Sequence, residues 1–271
     1  MLRLILLGLT LLTACMPVAR ACETPLVVSF NGDWEPYFYH YGKQRYDGTD
    51  YLLLQRIAEK LPCPVSVLSM SESRSKIEQE KGTFDIWLGA TYTKERATDF
   101  FYSLPYREEV VGFALTSGNG MSTATTLEQV LSAGGLVGIN TAGYFGETVE
   151  WLKARYPDQF IHGFALPDRL KLMINGKITA VVDDRLALCN KLNEVRAYDM
   201  IPASGSDIPS PGPVVLADEV LHSDKVHFMF SKKTIDQSLV DAFNTHLKGE
   251  LARKPLRIPS QCMPKTQVAR Q

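Results

Sequence analysis

Short apolar runs alternate with stretches of helical periodicity, and the connections between them are short. Leu26-Val27-Val28-Ser29-Phe30 reads as a strand, and a Gly/aromatic loop, Asn31 to Gly48, follows it. From about Asp50 to Leu61 the residues Leu54, Ile57, Ala58 and Leu61 keep the i, i+3, i+4, i+7 spacing of one buried helix face. Pro62-Cys63-Pro64 stops that helix. Val65 to Leu68 is a second strand, Ser73–Lys81 a polar helix ending at Gly82, and Phe84 to Leu88 a third strand. Strand, helix, strand, helix, strand in this order predicts a parallel sheet with right-handed crossovers.

The pattern returns downstream. Thr126-Leu127-Glu128-Gln129 is a capping-box start. Leu136 to Ile139 reads as a strand, Gly146–Tyr156 as a helix and Phe160 to Phe164 as a short extended run. Asp168 opens a helix carrying Leu172 and Met173 and closed by Asn175-Gly176, after which Ile178 to Val182 is a strand ending in Asp183-Asp184. A second α/β lobe fits this stretch. Ser204–Pro213, rich in Ser, Gly and Pro, is loop; Val226 to Phe230 is a last strand. Ile235, Leu239, Phe243, Leu247 and Leu251 mark a final amphipathic helix.

Residues 1–21 read as a secretory signal: one early charge, Arg3, then an apolar run from Leu4 to Leu12, too short to span a hydrocarbon core of ~30 Å. Ala19-Arg20-Ala21 is a signal-peptidase site that would leave Cys22 first; Leu12-Thr13-Ala14-Cys15 is a competing lipobox with Cys15 lipidated. The expected location is therefore the periplasm. Removing 1–21 takes away two basic residues and no acid, so the net charge of −1 becomes −3. With no basic cluster, a nucleic-acid partner is not expected. At 45% hydrophobic and 22% charged, the 271 residues are neither disordered nor repetitive.

Of five Cys, Cys22, Cys63, Cys189 and Cys262 remain under either processing route. An even number in an oxidising compartment suggests two disulfides, with three connectivities possible. Cys22 and Cys63 each precede a strand; if those strands are parallel neighbours the two Cys meet, which leaves Cys189 with Cys262. The alternative is four reduced, buried thiols. No C-x-x-C occurs, and His222 and His227, five apart, share neither a helix face nor a strand face. Neither a metal nor another cofactor is expected.

Several polar or aromatic groups sit just beyond strand ends, where open α/β sheets bind ligands. They are Trp34 with Tyr37, Thr91 to Arg96, Gly143-Tyr144 and Asp184. A guanidinium grips a carboxylate with two parallel hydrogen bonds, a carboxylate across a cleft holds an ammonium, and aromatic faces exclude water from the remainder. Such a set suits a zwitterion such as an amino acid. Hydrogen bonds to charged groups contribute about 1.5–3 kcal/mol each. Three or four of them with one stacked group give the roughly −8 kcal/mol of a micromolar complex after association costs. Each residue also has a plainer reading: Arg96 as a solvated charge at a helix start, Asp184 as the cap of the following helix, Trp34 and Tyr37 as core aromatics. Their recurrence at one structural place favours the site.

Trp34-Glu35-Pro36-Tyr37, Gly48-Thr49-Asp50, Gly82-Thr83-Phe84-Asp85 and Thr91-Tyr92-Thr93-Lys94-Glu95-Arg96, followed by Phe100-Phe101-Tyr102-Ser103-Leu104-Pro105-Tyr106, occur in an order and spacing that resembles the family 3 periplasmic solute-binding proteins. These are the extracellular receptors of polar amino-acid ABC importers, and the resemblance covers about residues 25–250. It implies a two-lobed α/β periplasmic-binding-protein fold of type II, each lobe a mostly parallel sheet flanked by helices, joined by two crossing strands. The crossings fall near Val110–Leu115 and Val226–Phe230. Lobe one is then residues 22–112 with the return and C-terminal tail 229–271, and lobe two 113–228.

The resemblance further implies that Arg96 binds a ligand α-carboxylate with Thr91 assisting, that Asp184 binds the α-ammonium, and that Trp34, with Tyr37 nearby, stacks on the side chain. Arg74 corresponds to a pocket-facing group of some relatives. Two departures stand out. The second-lobe loop, usually G-V-x-x-G-[ST], reads Gly138-Ile139-Asn140-Thr141-Ala142-Gly143-Tyr144, and the segment between Asp85 and Thr91 is one residue short. The implied function is capture of a small polar solute by a monomer that hands it to a membrane permease, without chemistry. The alternatives are a ligand sensor for a receptor and a cyclic-amino-acid dehydratase using Glu35 or Asp184 as general acid.

Overall fold

The computed structural model describes residues 22, 24–42, 45–117, 120–197, 213–253 and 262. The 1–21 signal, Cys15, and residues 204–212 of the expected loop lie outside them. In chain order the strands are β1 (Leu26–Phe30), β2 (Tyr39–Tyr41), β3 (Arg45–Asp47), β4 (Val65–Ser69), β5 (Ile86–Thr91), β6 (Phe100–Tyr102), β7 (Arg107–Thr116), β8 (Val137–Gly138), β9 (Phe160–Ile161), β10 (Ala180–Asp184), β11 (Val214–Leu216) and β12 (His222–Ser231). The helices are α1 (Thr49–Lys60), α2 (Glu72–Lys81), α3 (Leu127–Ser132), α4 (Glu147–Arg155), α5 (Leu166–Ile174), α6 (Arg185–Ala197) and α7 (Gln237–Leu251).

One curled sheet runs β4-β1-β5-β12-β7-β10-β8-β9. β1 pairs in parallel with β4 and β5, and β8 in parallel with β10 and β9. The antiparallel joints lie at β7 and β12. β12 pairs through Val226–Phe230 with β5 and through His222–Val226 with β7, while β7 uses Val111–Leu115 on β10. Each of these two ten-residue strands is therefore shared by both halves of the molecule. A mixed α/β chain with two such halves is two-lobed.

Packing follows the periodicities. Leu54, Ile57 and Ala58 of α1 are buried, and Leu54 and Ile57 share one core with Leu26, Val28 and Phe30 and with Phe243 and Leu247 of α7. In the second half the strands alternate. Ala180 and Val182 face the core beneath α3 and α4, whereas Val181 faces the one beneath α5 and α6. Thr126 caps α3 with both bonds of the capping box. Gly82 ends α2 with φ 76°, a left-handed C-cap.

Cys22 is bonded to Cys63 and Cys189 to Cys262. The first pair follows from the register Leu26↔Val65, which sets the starts of β1 and β4 side by side. Several bounds differ from the sequence reading. The third strand is Ile86–Thr91 and not Phe84–Leu88, because Asp85 turns aside to accept the Val27 N–H at 2.7 Å. α5 begins at Leu166, two residues before Asp168, with Pro167 in its first turn. The Asn31–Gly48 loop contains the β2–β3 hairpin. Among the described residues no helix is long and apolar enough to cross a membrane, and no group of three His, Cys, Asp or Glu is disposed to hold a metal ion.

Candidate functional site

The two halves face each other across a cleft whose inner cavity is about 170 Å³. That is below the roughly 300–1,000 Å³ of pockets for drug-sized molecules, so it suits a small metabolite. Trp34, Thr91, Arg96, Glu109 and Asp183 contribute its polar walls; Phe38, Phe145 and Met229 its apolar ones. A second cavity of about 530 Å³ adjoins it, sharing Arg96, Gly143 and Tyr144 and adding Lys76, Lys153 and Lys233.

Arg96 stands in the short turn after β5, where the Thr93 hydroxyl accepts its backbone N–H. Its guanidinium donates to the Thr91 carbonyl at 3.2 Å and, across the cleft, to the Ala142 carbonyl at 2.6 Å. Both partners are neutral, and among the described residues no carboxylate lies in ion-pair range of it. Asn140 holds the opposing loop in shape. Its side-chain oxygen accepts the N–H groups of Ala142 and Gly143 at 2.8 and 2.9 Å, an Asx-type turn.

Trp34 lies along the cavity with its indole N–H on Asp183 at 2.9 Å. Gly89, at φ +66°, lets the ring come close, since a Cβ there would sit 2.7 Å from it. Tyr37 and Asp184 do not line the cavity. Tyr37 is 1% exposed; its ring lies beneath the Arg107 guanidinium, 3.6 Å from centroid to Cζ, and its hydroxyl donates to Asp184 at 2.9 Å. Asp184 also accepts the Ala187 N–H at 2.9 Å, the capping bond of α6, and its other oxygen is 4.0 Å from Arg107. The plainer reading of Asp184 as a helix cap thus describes its contacts. Its neighbour Asp183, on the opposite face of β10, is the wall residue, and Arg169 meets it at 2.6 Å. Arg74 is also outside the cavity walls. Its side chain is 70% exposed and 3.8 Å from Glu78 on the same helix. Thr91, Arg96, Trp34, Gly143 and Tyr144 all line the one cavity.

The sequence reading missed a buried charge cluster on the crossing strands. Arg107 donates through Nε to both oxygens of Asp50, at 3.0 and 3.3 Å, and Tyr106 donates to the same carboxylate at 2.5 Å. Glu109, two residues along β7, is 8% exposed and lines the cavity. Burial, with the Asp184 charge nearby, pushes its carboxyl well above the usual range, against the pull of Arg107. Burial raises Asp184 too, with Arg107 again opposing. On the rim, Glu72 of α2 accepts the Thr141 N–H at 2.8 Å across the cleft; burial raises its carboxyl to about 7.

A two-lobed α/β fold with a small, charged interlobe cavity matches a known architecture. The model of the bacterial extracellular solute-binding proteins, family 3, fits residues 26–252. The chain belongs to that family. This solute-binding protein is similar to holo ArgBP from T. maritima, with 19% identity over 85% of this chain and 91% of that chain and a TM-score of 0.67. It is also similar to AbpA, an amino acid ABC transporter substrate-binding protein from Streptococcus pneumoniae bound to L-arginine, with 19% identity over 84% and 92% and a TM-score of 0.64. A third is the ancestral amino acid-binding protein AncCDT-1, a precursor of cyclohexadienyl dehydratase, with 18% identity over 84% and 90% and a TM-score of 0.66. At such identities the likeness speaks to fold. No curated protein matches the chain in sequence.

Proposed function

We propose that this solute-binding protein captures an amino acid or a close relative in the cleft and presents it to the permease of an ABC importer from the periplasm. The observation that carries the reading is Arg96: a cavity-lining guanidinium aligned from both sides by neutral carbonyls. A carboxylate is the partner such a group lacks. Trp34 supplies a flat apolar wall beside it, and Gly143 and Tyr144 close the cavity from the other lobe. The solved relatives named above, two of which carry amino-acid binding in their names, support the same class. In this reading the lobes are 22–112 with the return from residue 229, and 113–228, with Cys262 held against the second lobe by its bond to Cys189 and not part of the first as the sequence reading placed the tail. The ligand bridges the lobes and favours the closed form.

We read the protein as a carrier without chemistry. Glu35 and Asp184, the acids that a dehydratase reading would use, stand outside the cavity walls, and Glu35 is held at 2.5 Å by Lys191. The test is calorimetric titration of the mature protein with the standard amino acids, beside Arg96→Ala. Micromolar binding that falls at least about 100-fold in the variant is expected, with the ligand recovered unchanged by mass spectrometry. Absence of heat with every amino acid overturns the ligand class. Recovery of a dehydrated product overturns the carrier reading.

A further inference from the structure

We propose that Glu109 holds the cationic group of the ligand, so that the solute is a zwitterion gripped between Arg96 and Glu109, while Asp184 belongs to the hinge. This rests on the reading of the cleft as an amino-acid site and assigns a residue to its second charge.

The assignment follows from what each acid is already doing. Asp184 is 2% exposed; one oxygen accepts from Tyr37 and from the Ala187 N–H, and the other faces Arg107. Asp183 is matched by Arg169 and by the Trp34 indole. Asp33, the third acid of the wall, accepts from the backbone and ring of His40. Glu109 differs. Its side chain is buried and turned into the cavity, and the bond its carboxyl receives is a long one, 3.4 Å from the Thr91 hydroxyl. Among the described residues no cation comes within ion-pair distance of it. Arg107, two residues away, gives its Nε to Asp50 and its face to Tyr37, and its buried Nη2, which has no hydrogen-bond partner, is not within ion-pair distance of Glu109.

Thr91 fixes the span. Its carbonyl accepts from Arg96, and its hydroxyl points to Glu109. The two charge holders therefore adjoin one residue, which suits the short carboxylate-to-ammonium distance of an α-amino acid. A carboxyl so buried favours its protonated form in the empty cleft, where Asp183 and Asp184 on β10 repel its charge and Arg107 on β7 attracts it. An ammonium entering the cavity takes the place of that proton, which leaves to solvent as the carboxylate forms. Binding is then coupled to proton release, and affinity rises as pH increases through neutrality.

The experiment is titration calorimetry of wild type and Glu109→Gln with L-arginine, L-lysine and L-glutamine at pH 6, 7 and 8, in buffers of different ionisation enthalpy. The expected result is proton release by the wild type, and in the variant an affinity lower by at least about tenfold with that release abolished. Should wild type bind while Glu109→Gln binds equally well with the same proton release, the assignment falls and the amino-acid reading stands. If wild type binds none of these or the other standard amino acids, both fall together. If the variant does not fold, the wild type decides: binding without proton release between pH 6 and 8 overturns the proposal, and release with affinity rising over that range supports it.

Discussion

Asp50 is where the most depends on a single side chain. It lies in the first turn of α1, is 1% exposed, and its carboxylate receives both Arg107 Nε and the Tyr106 hydroxyl. Arg107 is equally buried, so removing Asp50 strands a cation in the hinge region. Breaking a buried ion pair from one side typically costs about 3–5 kcal/mol. Asp50→Ala should lose that much in urea denaturation, and a loss below about 1 kcal/mol would show that Tyr37 and Asp184 alone suffice for Arg107. The same cluster explains what was legible in the sequence. Arg96, Thr91 and Trp34 sit in loops or at a strand end within recognisable motifs, so position and the family resemblance together made them candidates, and all three line the cavity. Asp183 and Asp184 are consecutive in a strand, so only one can face the cleft; which one depends on tertiary register. Glu109 had a signal that went unused. Arg107 and Glu109 stand two apart at the start of an otherwise apolar strand, on one face, with Glu108 exposed on the other. Two charges on a buried face need partners or a ligand.

At the level of elements, β5 shows how a local irregularity serves the cleft. Its pairing with β12 slips between His227 and Met229, so that Leu88 and Gly89 oppose Phe228 alone. This is a bulge with the glycine in the left-handed region, as that geometry favours. The bulge brings Gly89 against the Trp34 ring and Thr91 to the cavity wall. Gly89→Ala should therefore act twice. The backbone strain costs roughly 1–2 kcal/mol, and the new Cβ displaces Trp34. A lower melting temperature together with weaker ligand binding is expected. Lower stability with unchanged affinity would mean that Trp34 is no part of the binding surface. The elements themselves were largely readable, because α1 and α7 keep a helical period and β1 and β4 are compact apolar runs. The β2–β3 hairpin and the full extent of β7 were not. The hairpin strands have three residues each, and the polar start of β7 finds its place only by pairing with β12.

For the whole molecule, the bonds across the cleft set a pH dependence. Trp34 to Asp183, Tyr37 to Asp184, Arg96 to the Ala142 carbonyl and the Thr141 N–H to Glu72 hold the two halves together. Three of the buried carboxyls involved or adjacent, Glu72, Glu109 and Asp184, are raised by burial, Glu72 from 4.5 to about 7. A carboxyl raised in the folded state binds more protons there than in the unfolded chain. Its contribution is thus fully present below the unfolded value and is lost as pH climbs through the folded one. Stability of the ligand-free protein should fall between about pH 5 and 8, the window bounded by the unfolded carboxylate range and these raised values. Glu72→Gln tests the raised carboxyl that lies outside the cavity walls. The amide oxygen still accepts the Thr141 N–H, but nothing ionises, so the melting temperature should match wild type near pH 5 and exceed it by several degrees at pH 8. The same scans with ligand bound should show a shallower fall, because Glu109, paired with an ammonium, is ionised already. Parallel wild-type and Glu72→Gln curves across this range would remove Glu72 as a pH-dependent clasp. They would leave lobe closure to the contacts of Trp34, Tyr37 and Arg96.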